Sequence, residues 1–211
     1  MGRRIVEAGA GIGTVSDLLL ERASPEAMVL IEPDRDNVAE LHRRFDDDGR
    51  VRVQHGYLED MSESFRADTI VAVNVLEHVE RPGEFLDAAW RIIVPGGALL
   101  LLVPAIPALY NSLDKAFDHF RRYTRSGLKE ALVTAGFGIE TLRYLNFVGV
   151  AAWFVSGHIM RRKTLSGSQV RFYDRLVIPW VRRLESVVRP PVGQSLLVIA
   201  RKPRAAAVGK S

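Results

Sequence analysis

Cysteine is absent from this 211-residue sequence. That excludes disulfides, thiolate nucleophiles and cysteine-ligated zinc, and it is compatible with a reducing compartment without demanding one. No coherent basic stripe with interleaved aromatics is present either, so the net charge of +4 does not read as a nucleic-acid surface. Acids and bases alternate through the first half, and the basic excess lies mainly after Arg121. Met1 to Arg4 run straight into a β-branched segment with no apolar leader of their own, which predicts a chain kept in the cytoplasm. Internal repeats are lacking too. What is abundant is apolar residues, 47% of the chain, enough for one sizeable core. The patterning predicts a single domain over residues 1–203, a helical insert at 146–190 and a disordered tail at 204–211.

Apolar runs suited to strands recur at residues 3–8, 28–32, 50–54, 68–75 and 97–103, with helical spacing between them. This is the alternation of a parallel sheet. Between the first two lies VEAGAGIGTVSDLL, residues 6–19, in which Ile5 and Val6 lead through Gly9, Gly11 and Gly13 to Val15, Leu18 and Leu19. Strand, tight turn and helix follow from that order, and such a turn offers free N–H groups to a nucleotide-like ligand. The dinucleotide fingerprint G-x-G-x-x-G is not met, because Thr14 stands where its last glycine belongs. Glu32 ends the second run about twenty residues later, where the doubly wound fold places an acid on ribose hydroxyls.

Further along, Pro82 to Ile93 carries Phe85, Leu86, Ala89, Trp90 and Ile93 on one face, with proline in the first turn. Val94-Pro95-Gly96-Gly97 has proline and glycine where a type II turn needs them, predicting a reversal before the strand at 98–103. Residues 104–123 show no period and read as a functional loop. Thr124 is the expected N-cap of a helix with Leu128, Ala131, Leu132 and Ala135 inward and Gly136 at its end. A strand at 137–145 and another at 195–200 complete the count at seven. The apolar stretch Tyr144–Met160 is nearly long enough for a membrane span, but Asn146, Gly149, Ser156, Gly157 and His158 interrupt it. A buried or interfacial helix is expected there, followed by a second amphipathic segment at 172–188.

The residues quoted resemble the class I S-adenosylmethionine-dependent methyltransferases. Their first motif, (D/E)-x-G-x-G-x-G, is similar to Glu7, Gly9, Gly11 and Gly13; Glu32 matches the acid after strand two; VNVLEHVERPGEFLDAAWRIIVPGGALLLLVP resembles the family's fourth strand, helix and fifth strand. The resemblance implies an α/β, Rossmann-like seven-stranded sheet of order 3-2-1-4-5-7-6. Strand 7 would be antiparallel, with helices on both faces and the insert before the last strand. It implies S-adenosyl-L-methionine as cofactor and S-adenosyl-L-homocysteine as product. It places Glu7 and the glycine backbone near the methionine moiety, Glu32 on the ribose, Tyr57 and Leu58 beside the adenine, and Asn74 between cofactor and substrate. Two departures stand out. The family often has an acid where this chain has Tyr57, which leaves adenine to stacking or to Glu59. The N-terminal helices that often cover the cofactor are also missing, so either the start is truncated or the insert serves as lid.

Methyl transfer from a sulfonium needs positioning above all, and it demands neither a general acid nor a metal. A hydroxyl acceptor gains from a base, and the candidates are His78 in LEHVE and His119 in DHFRRYT. His78 could instead serve only to hydrogen-bond at a helix start. Arg121, Arg122 and Tyr123 are the candidate substrate-side residues; a solvated or Phe120-stacked arginine pair is the alternative. Phe147, Trp153, Phe154 and Trp180 suggest a large apolar or lipid-linked acceptor, a peripheral membrane approach, a lid or a homodimer interface. Together these readings predict an O-methyltransferase acting on a small-molecule or lipid-linked acceptor. The rivals are a non-catalytic methyltransferase-like binding domain and a nicotinamide-dependent oxidoreductase. The oxidoreductase lacks its Tyr-x-x-x-Lys pair here.

Overall fold

The computed structural model describes residues 2–62, 65–156, 175, 178–188 and 190–204. In chain order the elements are β1 (Arg4–Ala8), α1 (Thr14–Ala23), β2 (Ala27–Glu32), α2 (Arg35–Phe45), β3 (Val51–His55), β4 (Ala67–Val73) and α3 (Pro82–Ile92). They continue as β5 (Ile93–Pro104), α4 (Ser112–Ala116), α5 (Arg125–Thr134), β6 (Gly138–Leu145), α6 (Phe147–Phe154), α7 (Ile178–Val187) and β7 (Ser195–Arg201). The strands form one sheet in the order β3-β2-β1-β4-β5-β7-β6. Neighbours from β3 to β5 pair parallel, whereas β7 runs antiparallel to both β5 and β6.

Alternation along the strands divides the core between the two faces. Val6, Val29, Ile31, Ile70, Leu99 and Leu101 point to the side covered by α3 and α5; Ile5, Met28, Leu30 and Val71 point to the side of α1 and α2. The central strands are buried on both faces, which is why they read as continuous apolar runs. On α3, Phe85, Leu86, Ala88, Ala89 and Ile92 are buried, and Trp90 meets Phe137 edge-on at 5.1 Å. Truncating Phe85 to alanine is expected to cost about 3–5 kcal/mol. Thr124 caps α5 as its sequence suggests, accepting from Gly127 N–H at 3.0 Å, and Gly136 follows at φ +96°.

Two local expectations are corrected. The turn at Val94–Gly97 does not precede the strand but bulges within it: Ile93 already pairs with Ala67 and Ala98 with Thr69. Gly96, at φ +83°, takes the left-handed position a type II turn requires. Its N–H donates to Lys202 O at 2.8 Å, so the bulge is tied to the end of β7 rather than free to reverse the chain. The second correction concerns residues 104–123, where the chain is not wholly irregular. Asn111 and Asp114 cap each other across the five-residue helix α4, too short to show a hydrophobic period.

Between β6 and β7, α6 and α7 are locked together by one carboxylate. Glu185 of α7 is buried and accepts from the N–H groups of Asn146 (3.1 Å) and Phe147 (2.9 Å) at the start of α6. No helix among the described residues is long and apolar enough to cross a membrane. The parts of the apolar and amphipathic stretches that include His158, Met160 and Phe172 lie outside the described residues, as does the tail from residue 205.

Candidate active site

The chain winds outward from β1 to β3 and then returns to β4 on the other side, so the carboxyl ends of β1 and β4 splay and leave a crevice. A cleft of about 730 Å³ occupies that position, lined at one end by Gly9, Gly11, Glu32, Tyr57 and Leu58 and at the other by Asn74, His78, Phe117 and Asp118. The glycine turn fits there for steric reasons. Gly9 stands at φ +72°, and a Cβ on it would lie 2.4 Å from Val75 Cγ2, so only glycine lets the turn pass beneath the segment after β4. A Cβ on Gly11 would meet nothing within 4 Å, because that position opens onto the cleft.

Glu32, 6% exposed, joins the turn to β2. Its Oε2 accepts from Gly11 N–H at 2.7 Å, and its Oε1 accepts from Asp34 N–H at 3.0 Å and Asn37 Nδ2 at 3.4 Å. A carboxylate so oriented at the end of the second strand suits a vicinal diol. The apolar wall of Ile31, Leu58 and Phe85 beside it suits a flat base, with Tyr57, 61% exposed, at the rim. The donor set and shape therefore fit an adenosyl cofactor.

Two residues of the glycine motif lie outside the cleft lining. The Glu7 carboxylate is buried and accepts from Ser16 Oγ at 2.6 Å, which ties β1 to the first turn of α1. Burial, opposed by that hydrogen bond, pushes its carboxyl up to about 7. Gly13 begins α1 at φ +85°, and its missing side chain makes room for the Phe45 ring.

At the other end, Asn74 sits at φ +53° and donates its N–H to Leu102 O at 2.8 Å, which fixes where β4 releases the chain. The turn Leu76–His78 follows. His78 faces the cleft and meets the His119 ring edge-on at 4.8 Å. Burial, then the nearby His119, holds its imidazole below the ordinary value, which favours the neutral base.

His119 itself is 11% exposed at its side chain and stands behind His78. Its Nδ1 lies 2.9 Å from Asp114 Oδ1, an arrangement that puts the proton on Nδ1 and leaves Nε2 as the free ring atom. Asp114 is wholly buried and also accepts from Arg122 Nε (2.7 Å), Trp153 Nε1 (3.2 Å) and Asn111 N–H (3.0 Å). Burial alone would raise its carboxyl; the His119 and Arg122 hydrogen bonds and the guanidinium charge outweigh that and hold it below the ordinary value.

The structure places the three candidate substrate residues in supporting positions outside the cleft lining. Arg122, 5% exposed, is the counter-ion of Asp114, donates to Ala105 O at 3.0 Å, and lies over Trp153 at 4.8 Å. Tyr123 donates its hydroxyl to Leu76 O at 2.8 Å, and burial raises its phenol further. Arg121 donates to Glu80 O at 2.7 Å. The sequence singled out neither Asp114 nor Glu77, and it offered Trp153 only as part of an apolar acceptor wall, lid or interface, whereas its indole donates to buried Asp114. The pattern Asn111-x-x-Asp114 is a cap signature that could have flagged the first; Trp153 and Glu77 carry no local signal of their partners.

A sheet in this order with one antiparallel strand, a glycine turn after β1 and a ribose-type acid after β2 define the class I S-adenosylmethionine-dependent methyltransferases. Residues 1–142 match the Methyltransferase domain family, and the chain belongs to it. A protein of Mycolicibacterium smegmatis described as an S-adenosylmethionine-dependent methyltransferase is 30% identical over 154 residues, 71% of this chain and 58% of that protein. The ubiquinone biosynthesis O-methyltransferase of Psychrobacter arcticus is 24% identical over 69% of this chain and 63% of its own length. The chain thus spans about three-fifths of these curated relatives. Among solved structures, an S-adenosylmethionine-dependent methyltransferase from Mesorhizobium loti superposes with TM-score 0.65 at 14% identity, covering 95% of this chain and 91% of that one. The N-methyltransferase NodS from Bradyrhizobium japonicum, solved with S-adenosyl-L-homocysteine, gives 0.61 at 13% identity, covering 95% and 78%.

Proposed function

We propose that this chain binds S-adenosyl-L-methionine in the crevice between β1 and β4 and transfers its methyl group to an oxygen of a small-molecule or lipid-linked acceptor. The observation that carries the reading is Glu32 at the end of β2, its carboxylate held against the Gly11 amide on the cleft wall. When bound, that cofactor would supply an electrophilic methyl on its sulfonium, with a neutral thioether as the leaving group once the acceptor oxygen takes the methyl. Glu32 would hold the ribose, the backbone of Gly9 and Gly11 would allow close approach of the methionine portion, and Tyr57 and Leu58 would flank the adenine. Glu7 would act one step back, through α1, as a positioning residue.

For the acceptor, Asn74 and His78 are the residues in place, at the opposite end of the same cleft. A neutral imidazole there can accept the hydroxyl proton as the oxygen attacks, which supports O- over N-transfer. The naming of a relative as a ubiquinone biosynthesis O-methyltransferase supports the same preference. Arg122 and Tyr123 would shape this end through Asp114 and Leu76, and Arg121 through Glu80.

A lipid-linked acceptor is supported by the outer side of α7. Trp180, Leu184 and Val188 recur every four residues and are 70%, 52% and 55% exposed, with Arg183 over the Trp180 ring. Such a stripe suits an interfacial helix. The test is transfer of labelled methyl to matched phenol and aniline acceptors, each with a short or a long alkyl chain. The reading expects label on the phenols, more with the long chain, and a loss of about 10²–10⁴ in kcat for His78→Ala. Label on the anilines alone would contradict O-transfer.

A further inference from the structure

Glu77 is fully buried, and neither of its carboxylate oxygens has a hydrogen-bond partner among the described residues. An unpaired buried carboxylate is costly, so such a group holds a proton or faces a cation. Donor atoms of Glu77, His78 and His119 all lie within 4.8 Å of one another. Ligands about 2.0–2.2 Å from one tetrahedral ion stand about 3.3–3.6 Å apart, so side-chain adjustments that draw the outermost donors in by roughly 1 Å bring the three into range.

We propose that Glu77, His78 and His119 form a binding site for a divalent transition-metal ion at the acceptor end of the cleft. Two further features fit it. The Asp114 contact at 2.9 Å engages His119 Nδ1 and leaves Nε2 as the atom that would ligate, the carboxylate–histidine arrangement that orients metal-ligating imidazoles. His78 lines the cleft, so an ion has a path in and keeps open positions facing the acceptor. Two imidazoles and one carboxylate favour zinc, cobalt, nickel or ferrous iron over magnesium or calcium.

The displacement itself needs no metal, so the ion's use is in binding. With the ion bound, the His78 lone pair is committed to it and no longer serves as the base; an acceptor hydroxyl coordinated there instead loses its proton to water more readily and is held as an oxyanion beside the transferable methyl. That role rests on the methyltransferase reading; the binding of the ion does not.

Zinc titrated calorimetrically into chelator-stripped protein tests the site, with cobalt absorption spectra as a second readout. S-adenosyl-L-homocysteine is titrated into the same samples. One equivalent of zinc per chain is expected, weakened at least tenfold by Glu77→Gln and by His78→Ala, with tetrahedral cobalt bands lost in the same variants. Glu77→Gln keeps the side chain's shape and lies outside the cleft lining, so its retained affinity for S-adenosyl-L-homocysteine reports an intact fold. Absence of stoichiometric uptake, or uptake that both variants leave unchanged, as for zinc on the exposed His42 or His55, overturns the proposal. Zinc uptake without cofactor-product binding upholds the ion site and removes the methyltransferase reading. Cofactor-product binding without zinc uptake does the reverse.

Discussion

The hydrogen bonds of the Glu32 carboxylate at the cofactor end of the cleft stay within residues 11–37, from the glycine turn to the start of α2, whereas the acceptor end gathers Glu77 and His78, the segment Asp114–Tyr123, and Trp153 from three separate stretches. At the first end the backbone does most of the work, and Glu32 is the single acid that organises it. At the second, Asp114 holds four donors from an otherwise irregular loop and from α6. The first end is thus set by local backbone geometry and the second by a side-chain network laid over the sheet. The difference can be pressed experimentally.

The largest effect is expected at Asp114. Asp114→Ala leaves the Arg122 guanidinium buried without its carboxylate and should lower stability by about 3–5 kcal/mol in urea denaturation. Affinity for S-adenosyl-L-homocysteine should change less than threefold, since the hydrogen bonds of Asp114 go to Asn111, His119, Arg122 and Trp153 and those of Glu32 to Gly11, Asp34 and Asn37; its loss in folded protein would break the comparison. Gly9→Ala reverses the pattern. With φ at +72° and Val75 in the way, it should cost about 1–3 kcal/mol and weaken S-adenosyl-L-homocysteine at least tenfold, as read by calorimetry.

A smaller effect follows from Glu7. Its folded value of about 7 exceeds the ordinary 4.5, so the folded chain binds the extra proton between those values and loses stability as pH rises through them. Thermal melts taken from about pH 5 to about pH 8 should fall more steeply for the native chain than for Glu7→Gln. Equal slopes would mean that Ser16 carries the carboxylate without cost. Smallest of all, Tyr57→Ala should shift stability by less than about 0.5 kcal/mol, as exposed positions do, while weakening the cofactor product a few-fold.

The cofactor end was legible because its signals are local. Three glycines, an acid about twenty residues on and β-branched runs at even spacing name the turn and the parallel alternation, while the strand order was implied only by the family resemblance those motifs carry. Sequence could not say which way Glu7 turns, because the choice depends on Ser16 across the glycine turn in α1 and on burial between sheet and helix. Nor could it separate Arg121 from Arg122: adjacent arginines read alike, yet one reaches a carbonyl at 2.7 Å and the other becomes a buried counter-ion. Trp153 meets Asp114 across 39 residues of chain, a separation that no periodicity encodes. The bulge at 94–97 escaped for a related reason, since its residues specify a turn but only the pairing with β4 and β7 decides where it sits.

The most direct test of the account is calorimetric titration of S-adenosyl-L-homocysteine, beside NADH, into the native chain and Glu32→Ala. One-to-one binding of S-adenosyl-L-homocysteine alone, weakened at least tenfold in a variant that keeps its far-ultraviolet spectrum, is the predicted result. Equal affinity in the two proteins, or binding of NADH in its place, would contradict it.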